Sequence, residues 1–230
     1  MEIVEKFASF FRVLKLSNLE KFIEEQKKSK KEVGYKTSAI NIVIVSVISA
    51  ILTILSLFFI QPSAQKKLLE VAQQNGTEEQ IEQFKQLITQ QTAMRQGITI
   101  EGVVIRLALQ VVMFLVYFFI LQGLIYYISS FIGGKGTLKK QTYVFSVLYA
   151  GLFIVLSLFP IAVLLTIMVS PLVAIVPMLL YYAALVYGFY LTYKLVRGVH
   201  ELDMLRGAGV IIIAGIILFW ISTVMDSISI

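Results

Sequence analysis

Cysteine is missing from this chain altogether, and histidine occurs once, at His200. The first absence excludes disulfides, thiolate metal sites and cysteine nucleophiles. The second leaves His200, beside Glu201 and Asp203, without the further imidazole or thiolate that a metal centre would draw on. A short interfacial helix is the expectation for that stretch. Charge is scarce too: 15% of residues are charged, against about 25% in an ordinary soluble domain. Sequence signatures of intramembrane proteases are also lacking: no His-Glu-x-x-His pair, no Gly-x-Ser-x-Gly elbow and no paired aspartates within an apolar run. An enzyme is therefore not expected, and no cofactor or metal is implied.

What is present is apolar surface. Hydrophobic residues make up 58% of the chain, and the mean hydropathy is +0.84. Such a chain has too little polar surface to cover a water-facing exterior, so it needs lipid. The reading is an all-α, polytopic membrane protein with about five transmembrane helices. A polar segment, 1–36, precedes a membrane domain, 37–230. A span needs about 20 apolar residues to cross a core of about 30 Å. Runs of that kind place spans at about 37–60, 102–132, 142–160, 171–194 and 208–224. Gln61-Pro62 closes the first, Gly133-Gly134 the second, and the turn between the third and fourth is placed between Pro160 and Pro171.

In the N-terminal segment, Ile3, Val4, Phe7, Phe10, Phe11 and Leu14 recur at helical spacing. Ser17-Asn18-Leu19-Glu20 reads as a capping box opening a second helix, with Leu19, Phe22 and Ile23 ahead of Lys27, Lys28, Lys30 and Lys31. Two arrangements fit: amphipathic helices lying in the membrane plane, or helices packed against the ends of the spans. No apolar stretch of signal-peptide type stands in the first 30 residues. The segment 61–101 reads as an external helical hairpin, with a turn at Asn75-Gly76 and a second capping box at Thr77-Glu78-Glu79-Gln80. Asn75-Gly76-Thr77 also matches a glycosylation sequon, which a mass shift at Asn75 would reveal.

Orientation follows from the lysines and arginines beside the spans. Fifteen fall in the N-terminal segment and the loops at 133–141 and 194–206, against four in 61–101. The N-terminus is therefore expected in the cytoplasm and the C-terminus outside, in a cell membrane. The net charge of +6 is spent beside spans rather than in a nucleic-acid patch, so anionic head groups are the expected partners. Within the spans, Arg106, Gln110 and Gln122 are the candidates for a polar track between helices. The plainer alternative is that Arg106 snorkels to the interface while the glutamines bond across helices. Gly133-Gly134-Lys135-Gly136-Thr137 lacks the four-residue spacing of a phosphate-binding loop and reads as a turn between helices.

The layout resembles the Yip1-domain family of five-span membrane proteins, in its prokaryotic form. Ile132-Gly133-Gly134-Lys135-Gly136-Thr137-Leu138 is similar to the family's glycine turn entering the third span. Tyr149 is similar to its aromatic position, and Lys194-Leu195-Val196-Arg197-Gly198-Val199-His200-Glu201-Leu202 to its basic loop. The Asp-Leu-Tyr-Gly-Pro stretch of eukaryotic members is absent. The resemblance implies a non-enzymatic protein of membrane organisation, trafficking or adaptor type. The expected contact residues for lipid or a protein partner, or for a second copy of the chain, are Phe7, Phe11, Phe22, Lys27, Lys28, Lys30, Lys31, Lys135, Lys139, Lys140 and Arg197. The alternative is a conduit for a small solute or lipid along Arg106, Gln110 and Gln122. Five spans do not divide into an even inverted repeat, which counts against it.

Overall fold

The computed structural model describes residues 8–28, 34–96 and 100–228, without the side chains at 94–96, 100, 101, 106 and 221–228. Every regular element among the described residues is helical. A short helical segment at 8–12 leads to α1 (Leu16–Lys28) and α2 (Tyr35–Leu55), followed by a π-helical turn (Ser56–Ile60). Then come α3 (Gln61–Asn75), α4 (Glu78–Gln96), α5 (Ile100–Phe131), α6 (Leu138–Val169), α7 (Ile175–His200) and α8 (Met204–Ile228). Four helical runs are long and apolar enough to cross a membrane: Tyr35–Asn75, Gly102–Phe131, Leu138–Val169 and Ile175–His200. In α8 the apolar stretch Met204–Trp220 is shorter.

Two prolines behave differently from the sequence expectation. Gln61-Pro62 does not end the first helix, which continues to Asn75. The π turn shifts the hydrogen-bond register, with the Gln61 amide donating to Ser56 O, so Pro62 falls at the start of the next α-helical register. A proline there has no intrahelical bond to lose. Pro160 likewise lies inside α6, and the chain turns only at Ser170–Ala174. One withdrawn amide is tolerated in an apolar helix where serines and neighbouring helices re-satisfy the backbone. One turn before Pro160, Ser157 donates its hydroxyl to Phe153 O at 2.6 Å.

The chain divides into two compact units. The first comprises Met1–Ile44, Met113–Leu152 and Val186–Ile230; the second comprises Val45–Val112 and Phe153–Leu185. The first has a tightly buried core that includes Ile42, Phe118, Phe145, Leu148, Leu191 and Leu195. In the second, Ser49 and Ser157 share a hydrogen bond of 2.8 Å, and Phe159 meets Tyr181 edge to face. There too, Gln61 and Gln65 of α3 both donate to Gln91 Oε1 of α4. Thr77 and Gln80 form a reciprocal capping box at the start of α4: the Thr77 amide donates to Gln80 Oε1, and the Gln80 amide to Thr77 Oγ1.

The box expected at Ser17 does not form. Helix α1 starts at Leu16, so Ser17 already lies in its first turn, and Glu20 pairs with Lys194 instead of reaching back. Leu19 and Ile23 are buried, and α1 keeps a fixed register along α7. Tyr187 Oη donates to Leu14 O, Lys194 meets Glu20, Ile23 packs on Gly198, and Lys27 pairs with Glu201. The sequence separation is 173 at the first contact and 174 at the second, so the two helices run side by side in the same direction. The contacts therefore match packing against other helices rather than a helix lying across them in the membrane plane. The approach reaches deep: the Phe10 carbonyl lies over Gly151, about 20 Å along α6 from its first residue at a 1.5 Å rise.

Candidate functional site

Two features of the first unit converge at the His200 end of α7: a buried polar chain and a rim of basic side chains. The buried chain starts from sequence positions that look unremarkable, Gln122 in α5 and Gln141 in α6. Both are fully buried, as is His200. Gln141 Nε2 donates to Gln122 O at 2.8 Å and to Gln122 Oε1 at 2.9 Å. Its oxygen is therefore the atom that faces His200 Nε2, at 2.7 Å. An amide oxygen only accepts, so the network places a hydrogen on His200 Nε2. The tyrosine ring of Tyr126 lies 6.1 Å away, centroid to centroid. His200 Nδ1, Gln122 Nε2 and Ser129 Oγ are buried without a partner among the described residues.

The glycine loop is shaped by this histidine. Helix α5 ends in a Schellman motif: Gly133 adopts φ +91°, its amide donates to Ser130 O, and the Gly134 amide donates to Ser129 O. The Lys135 amide then donates to His200 O at 3.0 Å, pinning the loop over the end of α7. A Cβ on Gly136 would stand 2.8 Å from His200 Nδ1 and from Val199 O; one on Gly134 would stand 2.7 Å from Ser129 O. Neither position has room for a side chain. The turn between α5 and α6 is thus a clasp on the imidazole, with Gln141 on the other ring nitrogen.

Helix α7 also closes on a left-handed residue, but without glycine. Glu201 takes φ +57°, and the Leu202 amide reaches back to Arg197 O. A left-handed conformation costs a glutamate about 1–2 kcal/mol. The carboxylate placed there pairs with Lys27 at 3.2 Å, tying α1 to the end of α7.

Around this core lie the basic residues singled out in the sequence. Lys27 and Lys28 are exposed on α1, and Lys135 and Lys139 are exposed beside the loop. Lys140 Nζ donates to Lys27 O, and the Arg197 guanidinium stacks 5.5 Å over the Tyr193 ring. Phe11 is 44% exposed, whereas Phe22 is half-buried against Tyr143. Phe7, Lys30 and Lys31 lie outside the described residues, as does the side chain of Arg106. Gln110 is exposed, while Gln122 is spent on Gln141. Asn75 is exposed at the end of α3, its amide donating to Val71 O. Among the described residues no group of three or more His, Asp or Glu side chains could hold a metal ion. The role of Gln141 is what the sequence reading missed. The available signal was a glutamine at the very edge of the long apolar run that opens at Thr142.

The Yip1 domain matches residues 27–225, most of the chain. The chain belongs to the Yip1 domain family. No curated protein and no solved structure matches it. Yip1 proteins are membrane proteins, and the apolar helices of this chain fit that character. The matched region begins at Lys27 and takes in the glycine clasp, Gln141 and His200, so the polar chain lies inside the Yip1 domain.

Proposed function

We propose that this Yip1 protein is a non-enzymatic membrane organiser of trafficking or adaptor type, which presents a basic face to anionic head groups. One observation carries the reading. Lysines and arginine from α1, the glycine loop, α6 and α7 belong to one compact unit with a buried interior. The apolar side of α1 is used against α6 and α7, so its charges are what it offers outward. The mechanism is then electrostatic, each lysine near an anionic surface contributing about 1 kcal/mol. In this reading α8 is the fifth span, the basic end faces the cytoplasm, and α3 and α4 form the external hairpin. Contacts with a protein partner or a second copy would use the same face.

The test uses the whole chain in phosphatidylcholine vesicles, scored for capture of a second vesicle population containing phosphatidylserine. Capture is expected, and it weakens as salt shortens the screening length to about 8 Å at physiological strength. The triple variant K135E/K139E/K140E should lower the affinity by roughly a hundredfold, the equivalent of about 3 kcal/mol. Equal capture of phosphatidylcholine vesicles, or no loss in the variant, would overturn the proposal.

A further inference from the structure

The second unit holds a cavity of about 720 Å³, walled by α2 and its π turn, by α6 and by α7. It runs lengthwise along the helices, touching α6 from Phe153 to Leu164, about 17 Å of axial rise. Both backbone irregularities of these helices lie on its wall: Ser56 and Leu57 of the π turn, and Pro160. π turns inside helices recur at functional sites. The volume falls in the range of small-molecule cavities, about 300–1,000 Å³.

The chemistry of the wall decides the occupant. Two of its hydroxyls are already engaged within the protein: Ser157 with Ser49 and Phe153 O, and Thr53 with Ser49 O. Gln61 is held by Gln91. These groups have little left to hold a file of water, and the remaining lining is dominated by leucine, phenylalanine and other apolar side chains. An apolar void left empty would forfeit the dispersion contacts of its whole lining. Leu57, Pro160, Met178 and Tyr182 are exposed, so the cavity opens to the medium around these apolar helices, the hydrocarbon of a bilayer. Two donors remain. Tyr181 and Tyr182 line the cavity, and neither hydroxyl has a hydrogen-bond partner among the described residues. In hydrocarbon an unmatched phenol hydroxyl is costly, and a carbonyl oxygen is its natural acceptor.

We infer that this slot binds one acyl chain of a membrane glycerolipid, lying parallel to the helices, with an ester carbonyl accepting from Tyr181 or Tyr182. The site is separate from the basic face, so its test can fail while that reading stands.

The experiment reconstitutes the full chain in phosphatidylcholine vesicles doped with phosphatidylcholine carrying a diazirine on one acyl chain. After irradiation, labelled peptides are mapped by mass spectrometry. Adducts should concentrate on residues around Leu52, Leu156 and Met178. Filling the slot by Leu156→Trp, or independently by Leu164→Trp, should cut labelling there by about tenfold, with labelling elsewhere unchanged. Thermal unfolding identifies which of the two variants is folded. Tyr181→Phe with Tyr182→Phe should weaken retention of the lipid by about tenfold in native mass spectrometry, through loss of hydrogen bonds to the carbonyl. Labels spread evenly over every lipid-facing helix would mean annular lipid only and overturn the inference. So would slot labelling unchanged in a folded tryptophan variant, or chain-to-chain adducts showing the slot filled by a second copy.

Discussion

Gly136 and Gly209 are both glycines, yet the structure asks different things of them. A Cβ at Gly136 would strike the His200 ring and the Val199 carbonyl, whereas one at Gly209 meets nothing within 4 Å. Gly136→Ala should therefore cost about 1–3 kcal/mol, as overpacked cores do. Gly209→Ala, inside α8, should be neutral or stabilise by up to about 1 kcal/mol, because alanine is the better helix former. Thermal unfolding of the detergent-solubilised protein compares the two directly. Equal shifts in both variants would mean that the loop does not clasp the histidine. At the same scale, Gln141 joins α5, α6 and α7 through one side chain, using both ends of its amide. Interhelical bonds in membrane proteins average about 0.6 kcal/mol each, so register is the larger consequence of this residue.

Among the elements, α1 takes the second of the two arrangements that its amphipathic pattern allows. Its apolar residues Leu19 and Ile23 are buried, with ion pairs to α7 at Glu20 and Lys27. Those pairs are exposed, and each is worth about 1 kcal/mol or less. Apolar burial therefore does most of the holding. The close approach depends on Gly151, where a Cβ would stand 2.3 Å from the Phe10 carbonyl. Gly151→Leu should expel the segment around Phe10 while leaving α6 helical. Hydrogen exchange would register this as faster exchange at 8–15 with unchanged protection at 141–150. Unchanged exchange at 8–15 would show that the segment is held from elsewhere.

For the whole molecule, the absence of cysteine becomes a tool, because each introduced cysteine reports one place. The proposed orientation puts Lys139 inside and Glu82 outside. In intact cells, a membrane-impermeant maleimide should label Glu82→Cys at once and Lys139→Cys only after permeabilisation. The reverse pattern would invert the topology, and labelling of both from outside would break the span assignment between them. Extending the scan to Ser227→Cys asks whether α8 crosses the membrane. An external label there is expected if it is the fifth span.

Sequence alone determined the class of this protein, because composition and run length answer to the solvent. A chain this apolar needs lipid, and its long runs formed helices close to where they were read. Family membership was legible too, in the glycine turn and the basic stretch that ends in His200. Thr77 and Gln80 form their box because a cap is a local bargain among four residues. Pro62 and Pro160 were misread because a proline reports a missing donor and not whether neighbouring backbone absorbs the loss. The pairing of Gln122 with Gln141, the clasp on His200 and the path of α1 along α7 belonged to the tertiary structure. Each joins residues far apart in the chain, and the pattern of one helix cannot say which neighbour meets its polar or apolar face.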